Sequence, residues 1–319
     1  MKVHERALFD AYIAVDWSAR SSPSRLLPTR NAIWVGERFT DASRGEILLD
    51  PHYFRTRRQA GNYIQQRLRV HVAERRRAFV GFDFSFAFPA GFAASLGYTG
   101  SEPWRWIWTL LSDSVQDDDA NRNNRFQIAS DLNARCGSNT PGPFWGCPPA
   151  NATVTLSPTM VRQFRYPYSA GTELNLERTR LTEHVLPGVQ STWKLYGAGS
   201  VGGQALLGIP VVKRLRDDPA FAGVSRVWPF ETGFSTTPTP SIGPSILHAE
   251  IWHGVVRDRL DRVFPIQDQA QVHAYVTWLA DLDRRGELGE LFANAGDGTV
   301  EGNRRCIREE GWILGAKPR

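Results

Sequence analysis

The chain is 319 residues long and 41% hydrophobic, enough to bury one large core or two modest ones, and its 11% aromatic and 22% charged content excludes a disordered, collagenous or coiled-coil protein. Thirty-eight basic against 33 acidic residues leave a net charge of +5, mildly basic, with only Lys2, Lys194, Lys213 and Lys317 as lysines. Cys136, Cys147 and Cys306 are too few for a disulfide framework, MKVHERALFD carries charges where a secretory signal needs an apolar core, and no uncharged apolar run approaches the roughly 18 residues of a membrane span; the expectation is a soluble cytoplasmic protein.

The first strand signal is AYIAVDW (11–17), a continuous apolar and β-branched run that reads as a central strand covered on both faces. After a Ser/Pro-rich loop, AIWVGERF and GEILLD flank the turn cluster DASRG and read as hairpin partners of that strand. Between Arg55 and Arg77 the period becomes helical, with Ala60, Ile64, Leu68 and Val72 on one stripe and arginines elsewhere. AFVGFDFSFAF (78–88) then predicts a second continuous strand, closed by Pro89 and Gly91. Residues 98–221 lose strand periodicity and read as a partly helical insertion, a lid or subdomain, between a core of 1–97 and 222–319. Strand texture returns at SRVWPFE and SILHAEIW, an amphipathic helix starts near Gln267, and EEGWILGA predicts a turn and a short terminal strand.

Three apolar runs end in a carboxylate: YIAVD at Asp16, FVGFD at Asp83 and ILHAE at Glu250. A carboxylate at the end of a buried strand is costly unless something compensates it. If the strands are parallel neighbours, the acids converge at the carboxyl edge, where open α/β sheets bind ligands. A divalent cation relieves their repulsion, and oxygen-only ligands point to Mg²⁺ or Mn²⁺, a site suited to phosphoryl chemistry. Asp268, at the start of the last helix, leads the stripe Asp268, Val272, Val276, Leu279 and can reach the same edge, although DQAQ also fits a capping pattern. Glu231 in VWPFETGF rivals Glu250, and His248, on the same strand face as Glu250, is a candidate proton shuttle.

The segments YIAVDWSA, VGFDFSFAFPAGFA, WKLYGAGSVGGQALLGIP, VWPFETGF, HAEIW, DQAQV and EEGWILG resemble the ordered motifs of an uncharacterised bacterial domain family predicted to be RNase H-like nucleases. The resemblance implies an α/β RNase H-like fold, a mixed five-stranded sheet with flanking helices and the large insertion between the fourth and fifth strands. It implies metal-binding, catalytic acids at Asp16, Asp83 and Asp268, with Glu250 as a fourth. The acid that many such enzymes carry on the first crossover helix is missing, since RRQAGNYIQQ offers only Gln59, Asn62 and Gln65.

The resulting expectation is a divalent-metal-dependent phosphodiester hydrolase, a nuclease. Its rivals are a catalytically inactive nucleic-acid-binding or scaffold protein on the same fold, and an actin-like ATPase or phosphotransferase. The excess positive charge lies between residues 55 and 77, eight arginines against Glu74 alone; a solvated helix face is the plain reading, and nucleic-acid contact by Arg58, Arg67 and Arg69 the functional one. Gly197-Ala-Gly199-Ser-Val-Gly202 matches G-x-G-x-x-G with Asp217 twenty residues on, but Pro210 interrupts before a dinucleotide-binding unit can be completed; a close-packing loop or a phosphate nest beside the acids remains. Trp104, Trp106 and Trp108 read as aromatic core rather than a base-stacking platform, and Asp113 to Asp119 as a solvated loop.

Overall fold

β-Branched and aromatic residues fill β1 (Ala11–Asp16), whose first five residues are buried, and it lies at the centre of the sheet. The computed structural model of the protein describes residues 7–137, 140–160, 164–171, 174–293 and 299–317. β2 (Ile33–Asp41) runs antiparallel to β1 and turns into β3 (Gly45–Leu48) through a bend in which the Asp41 carboxylate accepts the Ser43 and Arg44 N–H groups. β4 (His52–Phe54) pairs with the opposite end of β2. Thr56 caps α1 (Arg57–Ala73) by accepting the Gln59 N–H, and the buried Ala60, Ile64 and Leu68 hold the helix on the sheet. It delivers the chain to β5 (Arg77–Phe82), parallel to β1.

The helices α2 (Phe92–Ser95), α3 (Pro103–Ser114) and α4 (Arg125–Gly137) follow, then a separate hairpin of β6 (Tyr168–Ala170) and β7 (Leu174–Leu176), then α5 (Leu181–Val185) and α6 (Val201–Arg216). β8 (Ser225–Val227) and β9 (Ser245–Glu250) return to the sheet, and α7 (Gln267–Arg284), α8 (Gly289–Ala293) and α9 (Val300–Arg305) complete the described helices, α9 running into a π-helical turn at Cys306–Glu310. The strand order is β3-β2-β1-β5-β9-β8 with β4 beside β2: antiparallel from β3 to β1, parallel from β1 to β8.

The sheet therefore has seven strands rather than the expected five. The three-residue edge β4 adds to the segments read as strands, whereas β8 lies within the expected SRVWPFE; β8 stops just before Pro229, which has no N–H to pair. The run 78–88 leaves the sheet at Phe82, and Phe84, Phe86 and Phe88 go instead into aromatic contacts such as Phe86–Trp108 and Phe88–Trp193. The terminal segment contributes one bridge, Ile313 to Glu250, rather than a strand. α6 continues through Pro210: ten of its residues are buried, and that packing outweighs the ~3 kcal/mol that an interior proline costs.

The pleat divides the core. Ile13, Val15, Val80 and Phe82 face α1, α3 and α6, and the tryptophans Trp104 and Trp108 join that cluster from the 98–221 segment. Tyr12, Ala14, Phe79, Leu247 and Ala249 face α7. The acidic run is a solvated loop only in part: Asp113, inside α3, and Asp119 are exposed. Asp117 holds the buried Arg57 guanidinium through two bonds of 2.6 Å, and Asp119 pairs with Arg58. No helix of the described residues is long and apolar enough to cross a membrane.

Candidate metal centre

Parallel pairing aligns Val15 with Phe82 and Phe82 with Glu250, so Asp16, the last residue of β1, and Asp83, the residue after β5, fall at one level of the carboxyl edge. Side chains alternate along each strand. Val15 and Phe82 point toward α1 and α6, so their successors Asp16 and Asp83 take the α7 face. In β9 the α7 face belongs to Leu247, Ala249 and Ile251, and the next residue of that parity is His253. Asp16, Asp83 and His253 converge there, with ligand atoms all within 4.8 Å of one another. His253 Nδ1 stands 3.6 Å from Asp83 Oδ2, while Asp83 Oδ1 accepts the Trp17 N–H at 2.7 Å.

Asp268, the second residue of α7, stands close enough to act on all three, and its carboxylate accepts the Asn31 N–H at 2.6 Å. Asn31 adopts φ 55°, a conformation asparagine tolerates, and this turns the loop after β1 toward the helix. Burial, then the neighbouring Asp83, drive the Asp16 carboxyl well above its ordinary range. Burial does the same to Asp83 despite the Trp17 N–H, and to Asp268 despite the Asn31 N–H. Burial lowers the His253 ring, although Asp16 and Asp268 pull the other way. Its Nε2 has no hydrogen-bond partner among the described residues. Two strained carboxylates beside a neutral imidazole are a donor set that can hold a divalent cation, and a cation there removes the repulsion that raises the acids.

Sequence reasoning missed His253, which lies beyond the end of β9 in the turn that follows, where the strand's alternation no longer marks a face. Parity within β9 explains why Glu250 does not join the cluster. It points to the other face, where Arg180 grips both its oxygens at 2.6 and 2.8 Å and Phe86 N–H donates to it at 3.0 Å. Glu231 is likewise occupied, by Arg216 at 2.5 Å and the Val227 N–H at 2.8 Å. His248 shares the Glu250 face, bonds Ser225 at 3.0 Å and is held neutral by burial, its pKa lowered to about 3, a core histidine rather than a shuttle beside the acids. The capping alternative for Asp268 is absent: the N-cap of α7 is Ile266, which makes no side-chain cap.

The α1 arginines are engaged elsewhere. Arg67 forms a buried pair with Glu37 at 2.7 Å, Arg69 reaches Asp218 at 3.4 Å, and Arg58 has Asp119. The acids instead open into a cleft of about 890 Å³ lined by Asp16, Asp268, Arg125 and the loop Gly197–Ser200. Gly197 and Gly199 hold φ of +86° and +69° in that loop, whereas Gly202 and Gly203 serve close packing: a Cβ on either meets a carbonyl of the 192–195 segment within 2.7 Å. Gln204 fastens α6 to the end of β1 by donating to the Trp17 carbonyl at 2.6 Å. Asp217 caps the far end of α6 and pairs with Lys213 at 2.8 Å, so no dinucleotide acid follows the glycines. Compared with protein-family models, curated proteins and solved structures, the chain matches none.

Proposed function

We propose that the protein is a divalent-metal-dependent phosphodiester hydrolase acting on nucleic acid, built on an RNase H-like core. The observation that carries this reading is the convergence of Asp16, Asp83 and His253 at the carboxyl edge of the parallel strands, with Asp16 and the neighbouring Asp268 lining an open cleft. The order of three antiparallel strands followed by parallel ones supports the fold assignment. Because one donor is an imidazole, the ligand set is no longer oxygen-only, and of Mg²⁺ and Mn²⁺ it suits Mn²⁺ better. In this reading Asp16, Asp83 and His253 hold the ion, and Asp268, fixed by the Asn31 N–H at the cleft side, orients the attacking water. The ion supplies Lewis acidity and a water of lowered pKa. Glu250 has no place in the set, since Arg180 takes both its oxygens.

The test is thermal unfolding with and without Mn²⁺, combined with cleavage of single-stranded, duplex and hybrid substrates. Mn²⁺ at a hundred times its Kd is expected to stabilise the protein by about 2.7 kcal/mol. Asp16→Asn and Asp83→Asn should lose both the stabilisation and the cleavage. Activity indifferent to both substitutions overturns the assignment. Salt-dependent nucleic-acid binding without any Mn²⁺ response transfers the protein to the inactive-binder reading.

A further inference from the structure

Arg125, the first residue of α4, is only 5% exposed, yet no carboxylate pairs with it among the described residues. Its Nη1 donates to two neutral oxygens, Ser21 Oγ and Asn123 Oδ1, each at 2.8 Å, and its guanidinium lies 4.3 Å from the Phe126 ring centre. Its Nε, itself buried, has no hydrogen-bond partner among the described residues. The nearest acid, Asp117, is committed to Arg57, whose charge further disfavours the Arg125 cation; burial and Arg57 together bring its pKa down to about 10. A buried cation with vacant donors costs several kcal/mol unless an anion joins it.

Arg125 lines the same cleft as the acids, and so does the start of α6. That helix is 16 residues long, its N-cap Ser200 makes no side-chain cap, and its first turn holds no acidic residue. Of its first-turn N–H groups, Gly202 donates to the Lys194 carbonyl at 2.9 Å and Gly203 to the Ser200 carbonyl at 3.1 Å, yet no negative charge of the helix's own offsets the positive end of its dipole, which favours an outside anion. Gly197 and Gly199 turn the chain tightly at that point. The cleft is thus acidic at Asp16 and Asp268 and anion-seeking at Arg125 and Ser200.

We infer that Arg125 and the Ser200 end of α6 form a phosphate-binding subsite, which seats a phosphate group of the substrate in the same cleft as the metal centre. This deepens the hydrolase reading and rests on it for the word substrate, but the subsite itself needs no metal. A guanidinium with open donors and a helix N-terminus match the oxygens of either an internal phosphodiester or a terminal monoester.

The experiment uses the full chain in EDTA, with inorganic phosphate titrated against chloride at constant ionic strength and thermal unfolding as the readout. Phosphate is expected to raise the melting temperature of the unsubstituted protein. Arg125→Gln and Ser200→Asp should each weaken phosphate at least about tenfold, while Asp16→Asn retains the phosphate response. Ser200→Asp introduces a good helix cap, so its folding is secured even if Arg125→Gln proves unstable. A phosphate response that is absent from the unsubstituted protein, or undiminished in both variants, overturns the subsite. Mn²⁺ stabilisation, which depends on Asp16 and not on Arg125, fails or survives separately. Trinucleotides with a 5′-phosphate or a 5′-hydroxyl separate the two sources. Preference for the phosphorylated end marks a terminal monoester and equal binding an internal diester, both requiring Arg125; binding of neither, or binding indifferent to Arg125, overturns the proposal.

Discussion

His253 and Asp16 have opposite electrostatic problems, and each is the other's partial remedy. Burial disfavours charge on both, leaving the imidazole neutral and Asp16 and Asp83 reluctant anions. A carboxyl whose folded pKa is raised binds its proton more tightly in the native state. Its contribution to stability is complete below the unfolded value of 3.8 and is lost as pH rises through the folded one. The metal-free protein should thus lose stability relative to Asp16→Asn as pH climbs above about 4, in denaturant melts of the two proteins at matched pH. Mn²⁺ should reverse the sign of that difference, because the ion selects the anionic form. The two aspartates were legible in the sequence as interruptions of apolar runs. His253 was not, because it lies beyond its strand, where no apolar alternation marks which face a residue takes. Glu250 was misplaced because a strand-end acid in a one-dimensional pattern shows its level in the sheet but not its side.

At the level of elements, α7 is the piece that carries Asp268 to the site, and Gly36 in β2 sets its distance. A Cβ at Gly36 meets the Val272 carbonyl oxygen of α7 at 2.6 Å. Gly36→Ala should push the helix off the sheet at a cost of about 1–3 kcal/mol in urea unfolding, and lower Mn²⁺ affinity by displacing Asp268 and the ring packed beside it. An unchanged Mn²⁺ isotherm in that variant separates α7 from metal binding. α7 itself was readable, since its stripe of Val272, Val276 and Leu279 is a clean helical period and its first residue is the expected Gln267. The end of β5 was not, because the phenylalanines from 84 to 88 are as apolar as a strand yet serve the packing of α2 and α3. The arginines of α1 looked like a local charge excess because their partners Glu37, Asp117, Asp119 and Asp218 are distant in sequence.

For the molecule as a whole, Arg180 is the knot. Fully buried, it binds Glu183 at 2.9 Å, both oxygens of Glu250, Ser85 at 3.1 Å and the Glu310 carbonyl at 2.8 Å, joining the 98–221 segment to β9 and the C-terminal turn. Burial lifts the Glu183 carboxyl to about 7 even so. Arg180→Met strands two carboxylates and should cost about 3–5 kcal/mol in equilibrium unfolding, whereas adding Glu250→Gln to it should recover part of the loss. No sequence pattern announces such a network, because it draws on four separated segments. The metal centre has the same far-flung construction, and this orders events during synthesis. β1, α1 and β5 can assemble from the first 83 residues, bringing Asp16 and Asp83 together. The contact that brings β9 alongside, Phe86 to Glu250, closes a loop of 164 residues, and His253 and Asp268 lie further on still. Long loops close late. A chain emerging from the ribosome therefore carries a pair of repelling acids until its last third has docked: the capacity to hold a cation at the proposed site arrives with completion of the fold and is denied to every truncated intermediate before it.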